Sequence, residues 1–399
     1  MTRTKVFSFA LNSTVEIDRI IGHARGSEKG PTLIFIGGVH GNEPAGVFAL
    51  HRVFTQLDTS KLKGNIYGIA GNLWALKHGE RYQKQDLNRL WTTERLINLP
   101  KNGEPAMHQD EAEQVEINKV FQDILQKEDG PFYFFDMHTT SSETLPFLTV
   151  NDSLLNRNFT VKYPLPIILG IEEYLEGPVL SYINELGYIA FGFEAGQHDE
   201  MASIQNCLSF IYLSLFFTGC LEKDDIDFHK YYNSLAKASM DVRCFYEIYF
   251  QYRIKHGESF KMLPGFYNFQ RIKKNQPLAN SNGKVIRAVR NGRILMPLYQ
   301  AKGSDGFFAI KKIWPLFLKA SAFFRKYRLD RLLVLLPGVN WIDNEKSGLL
   351  VNKNIARFIA KDFFHLLGYR TAKVNRRFLR MYSRESCARY PDYKGAFWY

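Results

Sequence analysis

Four short stretches hold the side chains best suited to chemistry. "FIGGVHGNEPAG", residues 35–46, sets His40 three residues ahead of Glu43 inside a glycine-rich turn. "RYQKQDLNR" (81–89) carries Arg81, Asp86, Asn88 and Arg89, "FFDMHTT" (134–140) carries Asp136 and His138, and "GFEAG" (192–196) carries Glu194. A catalytic zinc site takes three protein ligands of nitrogen and oxygen type and keeps one position open for water. His40 and Glu43 can present a nitrogen and a carboxylate to one ion, and His138 can supply the third ligand. Asp136 is a conceivable partner behind His138, with the face it takes on its strand left open.

Each piece has a plainer reading. An HxxE pair is common by chance, and a single histidine is more often packed or solvated than bound to metal. Glu194 interrupts an apolar run where a buried charge is costly without a role. Arg89 can fork a substrate carboxylate bidentately, or it can pair with Asp86 as scaffolding. Arg81, in a polar loop, is open to either reading, and His78, His108 and His198 are background. Gly37, Gly38 and Gly41 suit a tight backbone near an ion; with no Lys-Ser/Thr after them, they are not a phosphate cradle.

The elements that must position these groups alternate between strand and helix over the first ~250 residues. The strands are "TLIFIG" (32–37), "NIYGIAG" (65–71), "FYFFDMH" (132–138), "PFLTV" (146–150) and "YIAFGFEAG" (188–196). Their continuous hydrophobicity is that of strands covered on both faces. "EPAGVFALHRVFTQL" and "QDEAEQVEINKVFQDILQK" between them read as helices, as do stretches near 200–218 and 225–250. The expected fold is therefore α/β, a doubly wound and mostly parallel sheet, with reactive groups on loops at the carboxyl ends of its strands. Three domains are expected: 1–252 as the catalytic core that carries the four stretches, 253–319 as a small β-rich module marked by Gly, Pro and Asn, and 320–399 as a basic helical extension including "NIARFIAKDFFHLLGY".

The 399 residues are 45% hydrophobic and 23% charged, an ordinary globular composition. Residues 1–251 hold 22 Lys+Arg against 32 Asp+Glu, whereas 252–319 hold 14 against 2 and 320–399 hold 16 against 6. A basic half of this kind most simply docks on the acidic half or solvates its own surface. Four cysteines without CxxC spacing suit a reducing compartment. The longest apolar run, Phe210–Cys220, is short of a membrane span, and the start lacks a secretory pattern. A cytoplasmic protein without a transmembrane segment is expected.

In order along the chain, "GGVHGNE", "DLNR", "DMH" and "FEAG" resemble the succinylglutamate desuccinylase/aspartoacylase family, a branch of the zinc carboxypeptidase-like fold. The resemblance covers residues ~32–200 and extends weakly to "GRILMPLYQAKGSDGFF". It implies one Zn2+ per chain held by His40, Glu43 and His138, with Glu194 as the general base that activates water. It further implies that Arg81 polarises the scissile carbonyl and that Asn88 and Arg89 hold the substrate carboxylate. Where family amidohydrolases close the pocket with a tyrosine, this chain has Phe307 and Phe308, with Tyr299 out of register. The run "AGQHDEMAS" after Glu194 and the ~80 extra residues are further departures.

The expected activity is hydrolysis of the amide of an N-acyl amino acid or similar small carboxylate. A metallocarboxypeptidase acting on peptides or cell-wall fragments is the rival within the same class. From another class comes a binding protein whose "KVNRRFLRMYSR" (373–384) contacts an anionic surface. No nucleic-acid partner is expected, since no recognisable nucleic-acid fold appears.

Overall fold

The apolar runs become strands whose alternate residues feed two separate layers. In the computed structural model, which describes residues 3–100, 106–344, 346–352, 367–373 and 377–399, all nine residues of strand Phe132–Thr140 are buried. Leu33, Phe35, Tyr133, Phe135 and Phe191 face one core with Val47, Leu50 and Val53 of helix Ala45–Gln56 and Phe210 and Ile211 of helix Met201–Thr218. Ile34, Ile36, Phe134 and Ala190 face the other, with Ile117, Phe121 and Ile124 of helix Gln109–Lys127 and Ile183 of helix Val179–Glu185. Period-two alternation along each strand makes this division, and helices cover both faces as expected.

The strands form one 11-stranded sheet. Strands Lys63–Ala70, Glu28–Gly37, Phe132–Thr140 and Ile189–Gln197 lie side by side and parallel. Strand Phe147–Val150 then runs antiparallel to Ile189–Gln197 and starts a second parallel group with Ile167–Leu169 and Phe245–Arg253. Strands Asp305–Lys312, Gly292–Leu295 and Arg271–Ile272 add antiparallel pairs at one edge, and Ile20–Arg25 adds another at the opposite edge. The sheet is therefore mixed rather than mostly parallel. Continuous apolar runs report that both faces are covered; they carry no information on strand direction.

The segment 253–319 continues this sheet through Asp305–Lys312 and adds a three-stranded sheet, Phe260–Met262, Pro277–Ser281 and Lys284–Arg287. The expectation of a helical extension over 320–399 needs correction. Its described residues contain the end of helix Pro315–Lys326, a short helical turn at Tyr390–Tyr393, and a four-stranded antiparallel sheet. That sheet pairs Val339–Trp341, Gly348–Asn352, Phe378–Ser383 and Tyr369–Lys373. It closes over Leu349, Val351, Tyr369 and Met381. The helical reading of "NIARFIAKDFFHLLGY" (354–369) falls mainly on 354–366, outside the described residues.

Helix Met201–Thr218 is 18 residues long with a mean hydropathy of 1.3, enough by length and composition to cross a membrane, against the expectation from uninterrupted runs. Its polar residues explain the difference, since Ser209, Ser214 and Thr218 return their hydroxyls to carbonyls one turn back. In the fold 72% of it is buried.

Candidate metal centre and substrate cleft

His40 and Glu43 sit in the turn between strand Glu28–Gly37 and helix Ala45–Gln56. The turn is tight because Gly41 passes directly against the backbone of Ala75 and Glu80, where a Cβ would lie 2.0 Å from the Ala75 carbonyl. Gly38 adopts a left-handed φ of 73° just before it. "DLNR" forms a 3-10 turn over Leu87–Arg89 that Asp86 caps, accepting from the Asn88 backbone N–H at 2.9 Å. The loop before it hangs on Asp110, in the first turn of helix Gln109–Lys127. The Asp110 carboxylate accepts the backbone N–H groups of Gln83, Lys84 and Gln85 at 3.0, 2.7 and 3.0 Å. His138 and Glu194 are register partners on adjacent parallel strands, near their carboxyl ends.

These elements bring the sequence-predicted residues to one cleft, lined among others by His40, Glu43, Arg81, Asn88, Arg89, His138 and Glu194. Among the described residues, His40, Glu43 and His138 form a buried group whose ligand atoms all lie within 4.8 Å of one another. The two oxygens of Glu43 face the two imidazoles, Oε1 at 2.8 Å from His40 Nδ1 and Oε2 at 3.0 Å from His138 Nδ1. Thr139 donates its backbone N–H to Glu43 Oε2 at 3.0 Å, and Arg81 donates to Oε1 at 3.1 Å.

The far side of each ring is held by a carboxylate. His40 Nε2 is 3.0 Å from Asp86 Oδ1, and His138 Nε2 is 2.7 Å from Asp136 Oδ2. Residues two apart on a strand share a face, which settles the orientation of Asp136. Metal-binding histidines characteristically give their second ring nitrogen to such a carboxylate. The donor set also fits on charge: Glu43, Asp86, Asp136 and Glu194 crowd a site in which Arg81 donates to two of them, Glu43 and Asp86. A buried surplus of carboxylate needs a cation or protons. Two nitrogens and one carboxylate oxygen are the donors zinc takes.

The protein's own charges answer that need with protons. Burial alone would lower His138, but Asp136 and Glu43 outweigh it and hold the imidazole well above its ordinary value. Burial would likewise raise Glu43, yet His40 and His138 hold it well below the carboxylate range. Glu194 goes the other way. Burial pushes it up to about 8, with Glu43 and Asp136 adding to the rise and His138 only partly opposing it.

Arg89 does not pair with Asp86, which is occupied by His40 and Arg81. It donates to the Asn88 carbonyl at 2.9 Å and to Asp305 Oδ2 at 3.0 Å. Asn88 receives the Val179 backbone N–H on its side-chain oxygen at 3.0 Å. Phe308 lines the cleft, whereas Phe307 faces away onto Tyr252. Tyr299 lies outside it, donating its hydroxyl to the Leu263 carbonyl at 2.7 Å. His198, read from sequence as background, is half-buried, 2.7 Å from Thr139 Oγ1 and 3.3 Å from Gln300. Its position in "AGQHDEMAS", just after the strand bearing Glu194, was the available signal. Asp110 and Asp305 had none, because their partners lie far away in sequence.

Residues 29–203 match the family description "Succinylglutamate desuccinylase/Aspartoacylase catalytic domain". A succinylglutamate desuccinylase of Photorhabdus laumondii is 32% identical over 123 residues, 30% of this chain and 36% of that protein. Another, from Pseudomonas aeruginosa strain LESB58, is 28% identical over 116 residues, 28% of this chain and 32% of that protein. The chain thus spans about a third of the length of these curated relatives. A solved succinylglutamate desuccinylase/aspartoacylase from Rhodobacter sphaeroides superposes with a TM-score of 0.55 at 16% identity, over 78% of this chain and 94% of the other. The product-bound ectoine utilization protein of Ruegeria pomeroyi does so with a TM-score of 0.53 at 17% identity, over 78% and 97%. At these identities the likeness establishes a shared fold.

Proposed function

From the match of residues 29–203 to the succinylglutamate desuccinylase/aspartoacylase catalytic domain, we propose that this chain belongs to that family and is a zinc-dependent amidohydrolase that frees an N-acylated amino acid or similar small carboxylate of its acyl group. One observation carries the reading: His40, Glu43 and His138 converge in a cleft that also holds Glu194 and Arg89. His40, Glu43 and His138 would hold the ion. A bound Zn2+ supplies Lewis acidity and can bring the pKa of water from ~15.7 to near 7. Glu194, register partner of His138, takes the proton of the attacking water and returns it to the leaving amine. Arg81, anchored on Glu43 and Asp86, is the cation beside the reacting carbonyl and stabilises its developing negative charge. Asn88 and Arg89 hold the carboxylate of the substrate.

Residues Met296, Leu298, Gln300 and Ser304 from the 253–319 segment wall one side of the cleft, which supports a small acyl-amino acid over a peptide in an open groove. The protein is expected to purify with about one equivalent of zinc. His40→Ala should lose the metal, and Glu194→Gln should keep it while turnover of N-acyl amino acids falls 10²–10⁴-fold. Zinc below a few tenths of an equivalent and unaffected by His40→Ala would reject the reading. Cleavage of short peptides in preference to N-acyl amino acids would favour the carboxypeptidase alternative.

A further inference from the structure

Arg89, proposed above to hold a substrate carboxylate, already faces a carboxylate of the protein. Asp305 Oδ2 accepts from Arg89 Nη2 at 3.0 Å and from Ser304 Oγ at 3.2 Å, while Asp305 Oδ1 accepts from Gln251 Nε2 at 2.6 Å. Gln251 is itself fixed by donating to the Tyr174 carbonyl at 2.9 Å. Asp305 opens strand Asp305–Lys312, opposite Arg253 on strand Phe245–Arg253, so strand pairing within the sheet sets its position. Both side chains keep part of their surface, 23% for Arg89 and 13% for Asp305, and both line the cleft. Beyond this corner the lining mixes polar side chains, among them Thr139, Ser141, Thr149 and Gln300, with the apolar Ile171, Leu175, Leu180, Met296, Leu298 and Phe308.

A purely anionic end group is badly served by this corner. It would gain Arg89 but be pressed against Asp305, and like charges at contact are disfavoured. A neutral end group leaves the pair as it stands and gains little. A group bearing a carboxylate and an ammonium on adjacent atoms matches both charges at once, the carboxylate on Arg89 and the ammonium on Asp305. Arg89 has donors for this, since a guanidinium carries five N–H groups. A free α-amino acid head is such a group. With that head in the corner, the acylated nitrogen must be a second amine at the far end of the chain, its methylenes lying against the apolar side chains of the lining.

We infer that Asp305 selects substrates whose amine half is a diamino acid with a free zwitterionic head, acylated on its distal amine, over N-acylated acidic amino acids. The inference rests on the assignment of Arg89 under the proposed function, and the test separates the two. Calorimetric binding of L-ornithine, L-norvaline and succinate is compared for the zinc-loaded wild type and for Asp305→Asn. Ornithine and norvaline share the same head, so binding of both about tenfold tighter than succinate reads the corner. Asp305→Asn should bring the amino acids to within about threefold of succinate, and Asp305→Glu should restore the preference.

Succinate binding as tightly as the amino acids to the wild type, or a preference unmoved in a folded Asp305→Asn, overturns the inference. Should Asp305→Asn fail to fold, the wild-type ratio decides. Hydrolysis is then compared between Nδ-acetyl-ornithine, Nα-acetyl-ornithine and N-succinyl-glutamate. Faster cleavage of the Nδ isomer is expected. Faster cleavage of either of the others overturns the inference and leaves the deacylase reading standing. Amino acid selectivity that depends on Asp305, with none of the three cleaved, supports the corner and sinks the deacylase reading instead.

Discussion

Glu43 is the most heavily engaged side chain of the site, facing two imidazoles, a guanidinium and a backbone N–H. Glutamine, of similar size, would keep one accepting oxygen and put a donor in place of the other, so it could not hold all four. The two outer carboxylates are more open to test. Asp136→Asn keeps the shape behind His138 but removes the charge that orients its ring, and zinc affinity should fall roughly 10–100-fold by competition with a chelator. Unchanged affinity would remove Asp136 from that role. Protonation gives a second handle. His138 is raised above its ordinary value and Glu194 is pushed up to about 8, so both carry protons at pH 7 when no cation is present. A divalent cation must expel those protons to bind. Zinc titrations at pH 7 in buffers of different ionisation enthalpy should therefore report net proton release, smaller above about pH 8 and lower by about one proton in Glu194→Gln. Heats independent of the buffer would contradict this.

At the level of elements, the site depends on two turns meeting. The His40–Glu43 turn and the Arg81–Arg89 loop touch through the Gly41 N–H, which donates to the Arg81 carbonyl at 3.4 Å, and through Asp86 on His40. Gly41 has no room for a side chain against the Ala75 backbone. Gly41→Ala must push the turns apart, and a loss of roughly 3 kcal/mol in stability together with weakened zinc binding is expected. Thermal unfolding and metal analysis check it; a variant with wild-type melting and full zinc would show the contact to be slack. The turn residues themselves are legible in the sequence, because an HxxE pair in a glycine-rich turn after an apolar run is a local signal. The anchors of the loop are not, since Asp110 reaches residues 83–85 from the next helix and nothing in its own neighbourhood marks that use.

Across the whole molecule, the basic carboxyl-terminal part is bound to the acidic part through buried charge. Asp152 accepts from Arg157 and from Arg325, the latter at 2.8 Å, while Arg384 meets Glu172 at 2.8 Å and also pairs with Glu173. Tyr393 donates its hydroxyl to the Phe132 carbonyl at 2.6 Å, and Trp398 reaches the Tyr133 hydroxyl at 3.1 Å, both within the main core. Docking of one half on the other was the plainer reading of the charge asymmetry, and these contacts match it. Burial alone would raise Asp152, but Arg157, Arg325 and Arg384 hold it well below its ordinary value. Its folded pKa is thus depressed, so its contribution is present above the unfolded value of ~3.9 and lost as pH falls below it. Acid should therefore weaken this junction progressively as pH falls below ~3.9 toward the depressed folded value. At neutral pH, Arg325→Met leaves a buried carboxylate short of a partner and should cost roughly 3 kcal/mol in denaturant unfolding. A change under about 0.5 kcal/mol would mean that the network adds nothing.

The amino-acid sequence determined by itself five strands of the main sheet, helices on both its faces and the four motifs that converge on the cleft, because apolar periodicity and turn residues act over a few neighbouring positions. The helix expected near 225–250 instead ends at Ala238 and gives way to strand Phe245–Arg253, whose place is set by pairing with distant strands. Only the tertiary structure decided strand direction, the sheet within residues 320–399, the departure of Tyr299 from the cleft and the meeting of Arg89 with Asp305. Those outcomes depend on which distant segments come to lie side by side, and a hydrogen bond spanning 216 residues between Arg89 and Asp305 leaves no local trace in the chain.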